Sequence, residues 1–88
     1  MTEKKVRITN KLGLHARPAA LLVKTAGEFS SDVSVAKDDM EVNAKSIMGV
    51  MMLAAEKGST LTIRADGKDQ EKAVRAIVAL VERKFDEE

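Results

Sequence analysis

The sequence Gly13-Leu14-His15-Ala16-Arg17-Pro18-Ala19-Ala20 marks the point where the first strand of the chain gives way to its first helix. Proline is tolerated in the first turn of a helix, since its missing N–H would have no partner there, so Pro18 predicts a helix that begins at Ala16. His15 then lies at the N-cap or beside it. Gly13 permits a tight backbone bend that leaves the imidazole of His15 on the surface.

The start of this helix suits a phosphoryl group. The first N–H groups of a helix are unpaired and carry a partial positive charge, so those of Ala16 and Arg17 can hold phosphoryl oxygens beside His15. The guanidinium of Arg17 matches phosphate oxygens, and the helix start disfavours the imidazolium form of His15, which leaves a lone pair for nucleophilic attack. These residues alone leave an alternative open, in which the histidine caps a helix and the arginine is only solvated.

Period-two alternation of apolar and polar residues predicts four strands. Asp38 and Asp39 form a turn that makes the second and third strands a hairpin. The predicted strands cover residues 4–8, 31–36, 40–43 and 60–65, with Val6, Ile8, Val33 and Val35 facing the core.

Helical spacing of apolar residues predicts three helices. The first runs from Ala16 to about Glu28, with Gly27 as a stop signal. The third follows a turn at 66–69. The apolar stripe of the first helix consists of Ala19, Leu22, Val23 and Ala26, and that of the third of Val74, Ile77, Val78, Val81 and Phe85.

The second helix is predicted to begin after a Ser46 N-cap and to run from Ile47 to about Lys57, closed by Gly58. It carries more apolar residues than one buried stripe can hold. If Val50, Leu53 and Ala54 face the sheet, the remaining apolar side chains cannot all be buried. Exposed methionines suit a surface that docks several partners, although a small domain can also pack them into irregular core gaps. The residues in question are Ile47, Met48, Met51 and Met52.

The order of elements is strand, helix, strand, strand, helix, strand, helix. Strands with one apolar face and helices with apolar stripes predict an open two-layer α/β sandwich. The first six elements match a split βαβ arrangement, in which another strand lies between the parallel first and second strands. With 88 residues, the chain is expected to form a single domain over residues 1–88.

Composition excludes several classes of function. Fifteen basic and fourteen acidic residues leave a formal charge of +1, which argues against a nucleic-acid partner or membrane surface. No cysteine and a single histidine argue against a metal site and fit a reducing compartment. The charged N-terminus has no following apolar run, so no signal peptide or membrane insertion is expected. We expect a monomer in the cytoplasm.

The run from Gly13 to Ala19 resembles the active-site signature of the HPr family, the histidine-containing phosphocarriers of the phosphoenolpyruvate-dependent sugar phosphotransferase system, and the resemblance covers essentially the whole chain. It implies a four-stranded antiparallel sheet in the order 1-4-2-3 covered by three helices. It further implies a carrier rather than an enzyme. Nδ1 of His15 would accept a phosphoryl group from phosphorylated enzyme I and pass it to enzyme IIA domains, with no metal or organic cofactor.

The resemblance also extends to the second helix. In the family, the positions of Ile47, Met48 and Met51 form the docking surface near the active histidine. Many members carry a polar residue at the position of Met52, so this chain departs from the family pattern there.

Ser46 has two interpretations. As an N-cap it needs no further role. However, Lys45-Ser46-Ile47-Met48-Gly49 resembles the segment of HPr proteins that HPr kinase/phosphorylase modifies on serine. A phosphate there would place negative charge beside the apolar surface and disfavour acidic partners.

Other functions are less well supported by the sequence. One is a regulatory interaction module, either recognised by a transcription regulator in its Ser46-phosphorylated form or belonging to a nitrogen-related branch of the family. His15 argues against a relative regulated by serine alone. A ferredoxin-like RNA-binding or metal-carrying domain is disfavoured because Tyr, Trp and Cys are absent and only two Phe are present.

Overall fold

Four strands form one sheet in the computed structural model, which describes residues 1–87. They are β1 (Thr2–Arg7), β2 (Asp32–Lys37), β3 (Met40–Asn43) and β4 (Thr60–Asp66). Their order across the sheet is β1-β4-β2-β3, and every pairing is antiparallel. Because β4 lies between β1 and β2, these two strands run parallel to one another. The predicted sheet order is confirmed.

One face of the sheet is apolar and the other is polar. In β4, Leu61 and Ile63 are buried, whereas Arg64 forms ion pairs with Glu3 at 2.7 Å and Glu41 at 3.0 Å. This alternation follows the two-residue period of a strand. The residues predicted to face the core from the other strands are all buried, namely Val6, Ile8, Val33 and Val35.

Three helices complete the second layer, so the open α/β sandwich is confirmed. They are α1 (Ala16–Gly27), α2 (Ile47–Met52) and α3 (Gln70–Glu82), and α1 contacts both of the others. Within α1, Val23 is half-buried rather than buried. It follows Leu22 by one residue, a rotation of about 100°, which moves it to the edge of the apolar stripe. Ala19, Leu22 and Ala26 are buried as predicted.

The predicted extension of α2 to about Lys57 is wrong, because the helix ends at Met52. Lys37 donates from Nζ to the carbonyl oxygens of Leu53 at 3.2 Å and Ala54 at 3.4 Å. These bonds provide partners for carbonyl groups that the end of a helix leaves unpaired. A residue of β2 therefore helps to terminate α2.

The prediction that Ala54 faces the sheet is also wrong. Ala54 is exposed and has a left-handed φ of 48°, whereas its neighbours Leu53 and Ala55 are both buried. Buried residues thus follow a helical spacing from Val50 to Leu53 and a spacing of two residues from Leu53 to Ala55. Ala55, rather than Ala54, contributes the next apolar side chain to the core.

Phe85 is buried as predicted, but it does not lie on α3. The helix ends at Glu82, and a short 3-10 turn follows at Lys84–Asp86. All three residues of this turn have positive φ values, of 60° at Lys84, 55° at Phe85 and 59° at Asp86. The change of backbone direction turns the Phe85 ring into the core, where its exposed fraction is 1%.

Among residues 1–87, no helix has both the length and the apolar character needed to cross a membrane.

Candidate functional site

His15 is the N-cap residue of α1, as the sequence predicts. Its backbone is extended, with φ −79° and ψ −171°, and its carbonyl oxygen accepts the N–H of Ala19 at 2.9 Å. The His15 side chain makes no capping hydrogen bond to the helix, and it is 36% exposed. The backbone of His15 therefore caps α1, while its imidazole ring takes no part in the cap.

The loop before His15 is fixed by contacts with the segment after α2. Gly13 has a left-handed φ of +67°, and the N–H of Leu14 donates to the carbonyl of Ala55 at 2.8 Å. A Cβ atom on Gly13 would lie only 2.5 Å from the Ala55 carbonyl oxygen and 2.8 Å from Cα of Glu56. Glycine is thus required both for the backbone angle and for the close approach of the two segments.

Two residues of the site were missed in the sequence analysis. His15 Nε2 lies 3.0 Å from Oε1 of Glu87, and the same oxygen accepts a hydrogen from Nδ2 of Asn10 at 2.9 Å. Glu87 is 72 positions from His15 and 77 from Asn10, so no local pattern links them. Only the turn after α3 brings the carboxylate to the ring.

Electrostatics around Glu87 favour its ionised form. The hydrogen bond with His15 lowers the pKa of Glu87 most, followed by the bond from Asn10, and the positive charge of Arg17 lowers it further. Arg17 itself is exposed in the first turn of α1, two residues after His15. The carboxylate that contacts the His15 ring is therefore in its ionised form at neutral pH.

An ionised carboxylate accepts hydrogen bonds but cannot donate them, so Nε2 carries the proton in a neutral His15 ring that is bonded to Glu87. Nδ1 then carries the lone pair. Within the described residues, neither Nδ1 nor the N–H groups of Ala16 and Arg17 have a hydrogen-bond partner. A nucleophilic nitrogen, two backbone donors and one guanidinium are thus available at the start of α1.

The second predicted site lies on α2, which contacts α1. Ser46 caps this helix, and its Oγ accepts the N–H of Gly49 at 3.1 Å. The four apolar side chains that the buried stripe cannot hold are exposed, so they do not fill core gaps. Their exposed fractions are 43% for Ile47, 75% for Met48, 41% for Met51 and 64% for Met52. We call these four residues the α2 patch.

An open-faced α/β sandwich with one partly exposed histidine at a helix N-cap, followed two residues later by an exposed arginine, defines a small phosphocarrier domain. Comparison with known families agrees. Residues 2–83 match the family model described as the PTS HPr component phosphorylation site. The chain belongs to the HPr family and has the phosphocarrier role of the phosphotransferase system.

Individual relatives are similar over the whole chain. The phosphocarrier protein HPr of Xylella fastidiosa strain Temecula1 is 48% identical, over 100% of this chain and 99% of its own length. The crystal structure of HPr from Thermoanaerobacter tengcongensis superposes with a TM-score of 0.96 at 53% identity, over 100% of this chain and 99% of that one. The Bacillus subtilis protein Crh, solved as a domain-swapped dimer, has a TM-score of 0.76 at 46% identity, over 96% of this chain and 97% of that one.

Proposed function

We propose that His15 is the residue that carries the phosphoryl group, which it accepts from phosphorylated enzyme I and passes to enzyme IIA domains. The observation that carries this proposal is the position of the ring at the N-cap of α1, with the N–H groups of Ala16 and Arg17 unpaired beside it among residues 1–87. His15 is also the only histidine of the chain. The donor and acceptors are those implied by membership of the family.

Transfer begins when the Nδ1 lone pair of His15 attacks the phosphorus atom of the donor. The bond between phosphorus and the donor breaks in line with the attack, and its electron pair leaves with the donor. The N–H groups of Ala16 and Arg17 and the guanidinium of Arg17 stabilise the charge on the equatorial oxygens. The half-exposed ring suits transfer in both directions, because a phosphoryl group that is bound too tightly would not leave.

The test is labelling with phosphoenolpyruvate and enzyme I. We expect His15→Ala to abolish acid-labile labelling, and retained labelling at another residue would reject the assignment.

Arg17→Ala is expected to fold normally and to transfer at a rate lower by about tenfold to a hundredfold, since it removes one charged stabilising group. Arg75→Ala, which removes an arginine of α3, serves as the matched control and should transfer at the wild-type rate. If Arg17→Ala matched that control, Arg17 would have no part in the mechanism.

We further propose that Ile47, Met48 and Met51 form the docking surface for enzyme I and the IIA domains, widened by Met52. Their exposure and the contact between α2 and α1 support this proposal.

We propose a monomer because one chain supplies all four strands and buries the core between the sheet and its own helices. Light scattering of the purified protein tests this, and a stable dimer would reject it. We also propose a cytoplasmic location, which cell fractionation tests.

A regulatory role is the second candidate, and the observation that favours it is Ser46 at the edge of the α2 patch. Phosphorylation of Ser46 by HPr kinase/phosphorylase would add negative charge next to the apolar side chains, so partners with acidic groups would bind less well. A transcription regulator could then recognise the modified form. Complementation of sugar uptake in a strain without its phosphocarrier supports the carrier role. Pull-down with each phosphorylated form identifies a regulator, and failure to enrich any partner with the phosphoserine form rejects the regulatory role.

A further inference from the structure

We propose that Glu87 is a positioning residue for phosphoryl transfer, whose carboxylate keeps the proton of His15 on Nε2 and the lone pair on Nδ1. The inference rests on the proposed function of His15. It assigns a task to the segment after α3, which lies outside residues 2–83 matched by the family model.

The contact itself is specific and partly shielded from solvent. His15 Nε2 and Glu87 Oε1 are 3.0 Å apart, and the side chains are 36% and 20% exposed, respectively. Because the carboxylate can only accept, the bond exists in a neutral ring only when Nε2 carries the hydrogen. The other tautomer would place the Nε2 lone pair against the carboxylate oxygens.

Asn10 holds the carboxylate in place. Its side chain is fully buried, and Nδ2 donates both to the carbonyl oxygen of Gly13 at 2.7 Å and to Oε1 of Glu87 at 2.9 Å. Both partners are acceptors, so the amide must face them with its NH₂ group. Oδ1 of Asn10 consequently remains buried without a hydrogen-bond partner among the described residues. A buried amide with one unsatisfied oxygen is costly, and the two donated bonds account for its presence here.

The backbone after α3 provides a second constraint on Glu87. Phe85 is buried two residues before it, and the N–H of Glu87 donates to the carbonyl oxygen of Lys84 at 3.0 Å. Three consecutive non-glycine residues, Lys84 to Asp86, hold left-handed φ values, which occur only where the surrounding structure imposes them. Glu87 is therefore anchored from its own backbone as well as through Asn10.

This arrangement removes the need for a proton transfer at His15. While the Nδ1–phosphorus bond forms and the donor leaves with its electron pair, Nε2 keeps its hydrogen and the loaded ring becomes cationic. The Glu87 carboxylate, 3.0 Å away, stabilises that positive charge. When an acceptor takes the phosphoryl group, the electron pair of the broken bond returns to Nδ1, and the ring is neutral again with the same hydrogen on Nε2.

The first test uses nitrogen NMR of ¹⁵N-histidine-labelled protein without any partner, so its result does not depend on whether His15 carries phosphate. At a pH where the ring is neutral, we expect the wild type to show a protonated Nε2 and an unprotonated Nδ1. Glu87→Ala should shift both resonances toward an average of the two tautomers. Glu87→Gln should retain most of the wild-type pattern, because Nδ2 of Asn10 would bind the amide oxygen that also accepts from Nε2.

The second test is the rate of phosphoryl transfer from enzyme I. We expect Glu87→Ala to lower kcat by about three- to tenfold, because the variant loses one partly shielded charge-assisted hydrogen bond to His15. KM should stay unchanged, because the α2 patch is intact. Glu87→Gln should lie between Glu87→Ala and the wild type.

Asp86→Asn is the matched control, because Asp86 is exposed and pairs with Arg83 at 3.0 Å instead of with the ring. It should match the wild type in both measurements. If Glu87→Ala also matched the wild type in its ring resonances and in kcat, the proposal would be overturned. Labelling of the wild type at a residue other than His15 would instead count against the proposed function.

Discussion

Gly13 lies in the loop before His15, where both its backbone angle and its close packing against another segment require glycine. Its φ is +67°, and the Ala55–Glu56 backbone occupies the space that a Cβ atom would need. Gly27, at the end of α1, has no positive φ, and a Cβ atom added to it would meet no other atom within 4 Å. The two glycines are therefore expected to respond to substitution by alanine in opposite ways.

We expect Gly13→Ala to lower the free energy of unfolding by about 2 to 4 kcal/mol, from backbone strain and displacement of the Ala55 segment. Gly27→Ala is the control and should raise it by up to about 1 kcal/mol, since alanine restricts the unfolded chain. Urea denaturation measures both. Equal stability of the two variants would show that Gly13 is not constrained in this way.

Asp69 stabilises the junction between α1 and β2 and the start of α3. It occupies the N-cap of α3, but its carboxylate accepts hydrogen bonds from the backbone N–H groups of Ser30 at 2.9 Å and Ser31 at 3.0 Å, and from the hydroxyl of Ser31. The Ser31 hydroxyl lowers the pKa of Asp69 most, and the backbone bond from Ser30 adds to the effect, so that the pKa falls from 3.8 to about 2.

The lowered pKa of Asp69 makes the free energy of unfolding depend on pH in the acid range. The contribution of Asp69 is fully present above its unfolded pKa of 3.8 and is lost as the pH falls toward its folded pKa of about 2. We expect Asp69→Asn to be less stable than the wild type at pH 7 and to lose less stability between pH 4 and pH 2, where the wild-type carboxylate becomes protonated. Denaturant titrations across this range, with the exposed turn variant Asp39→Asn as control, provide the measurement. A parallel decline in all three proteins would contradict the assignment.

At the scale of single elements, α2 is a short helix that presents most of its apolar side chains to solvent. It is capped at one end by Ser46 and terminated at the other by Lys37, so its six residues Ile47–Met52 are held without a broad buried face. Val50 is the one residue within it that is buried. The α2 patch is consequently a surface whose composition can change without loss of the core.

We expect Met48→Ser to raise KM for enzyme I by about tenfold. Met48 is 75% exposed in the free protein, and the substitution removes apolar surface that would be buried against the partner. Its stability should stay within about 0.5 kcal/mol of the wild type. Met40→Ser, at another exposed methionine on β3, should leave KM unchanged. If both variants raised KM equally, docking would not depend on the α2 patch.

At the scale of the whole molecule, Phe85 links the segment after α3 to the core. Its side chain is 1% exposed, and the turn that carries it contacts both α1 and α3. Because the same turn leads into Glu87, Phe85 contributes both to the packing of the core and to the position of the carboxylate beside His15. Phe29, the other phenylalanine, is only half-buried.

We expect Phe85→Ala to lower the free energy of unfolding by about 3 to 5 kcal/mol, as for other fully buried aromatic side chains. Phe29→Ala should cost less, because less of its surface is buried. Urea denaturation of both variants measures the difference, and a larger loss in Phe29→Ala would contradict the packing described for Phe85.

Much of the site could be predicted from the sequence because its determinants are local. The position of Pro18, the bend at Gly13 and the N-cap at His15 depend on neighbouring residues, and the exposure of Met48 follows from the limited width of one helical face. Asn10 was missed because its link to the site runs through Glu87, which lies 77 positions away and is joined to it by no local pattern.

The apolar periodicities of the chain were enough to predict four strands, three helices and an open two-layer sandwich, since a strand repeats every two residues and a helix every 3.6. Resemblance to the HPr family added the sheet order. Tertiary contacts alone decided where α2 ends, how the backbone turns at Phe85, and which carboxylate meets His15. Each of these depends on groups far apart in sequence, which local backbone preferences and side-chain periodicity do not connect.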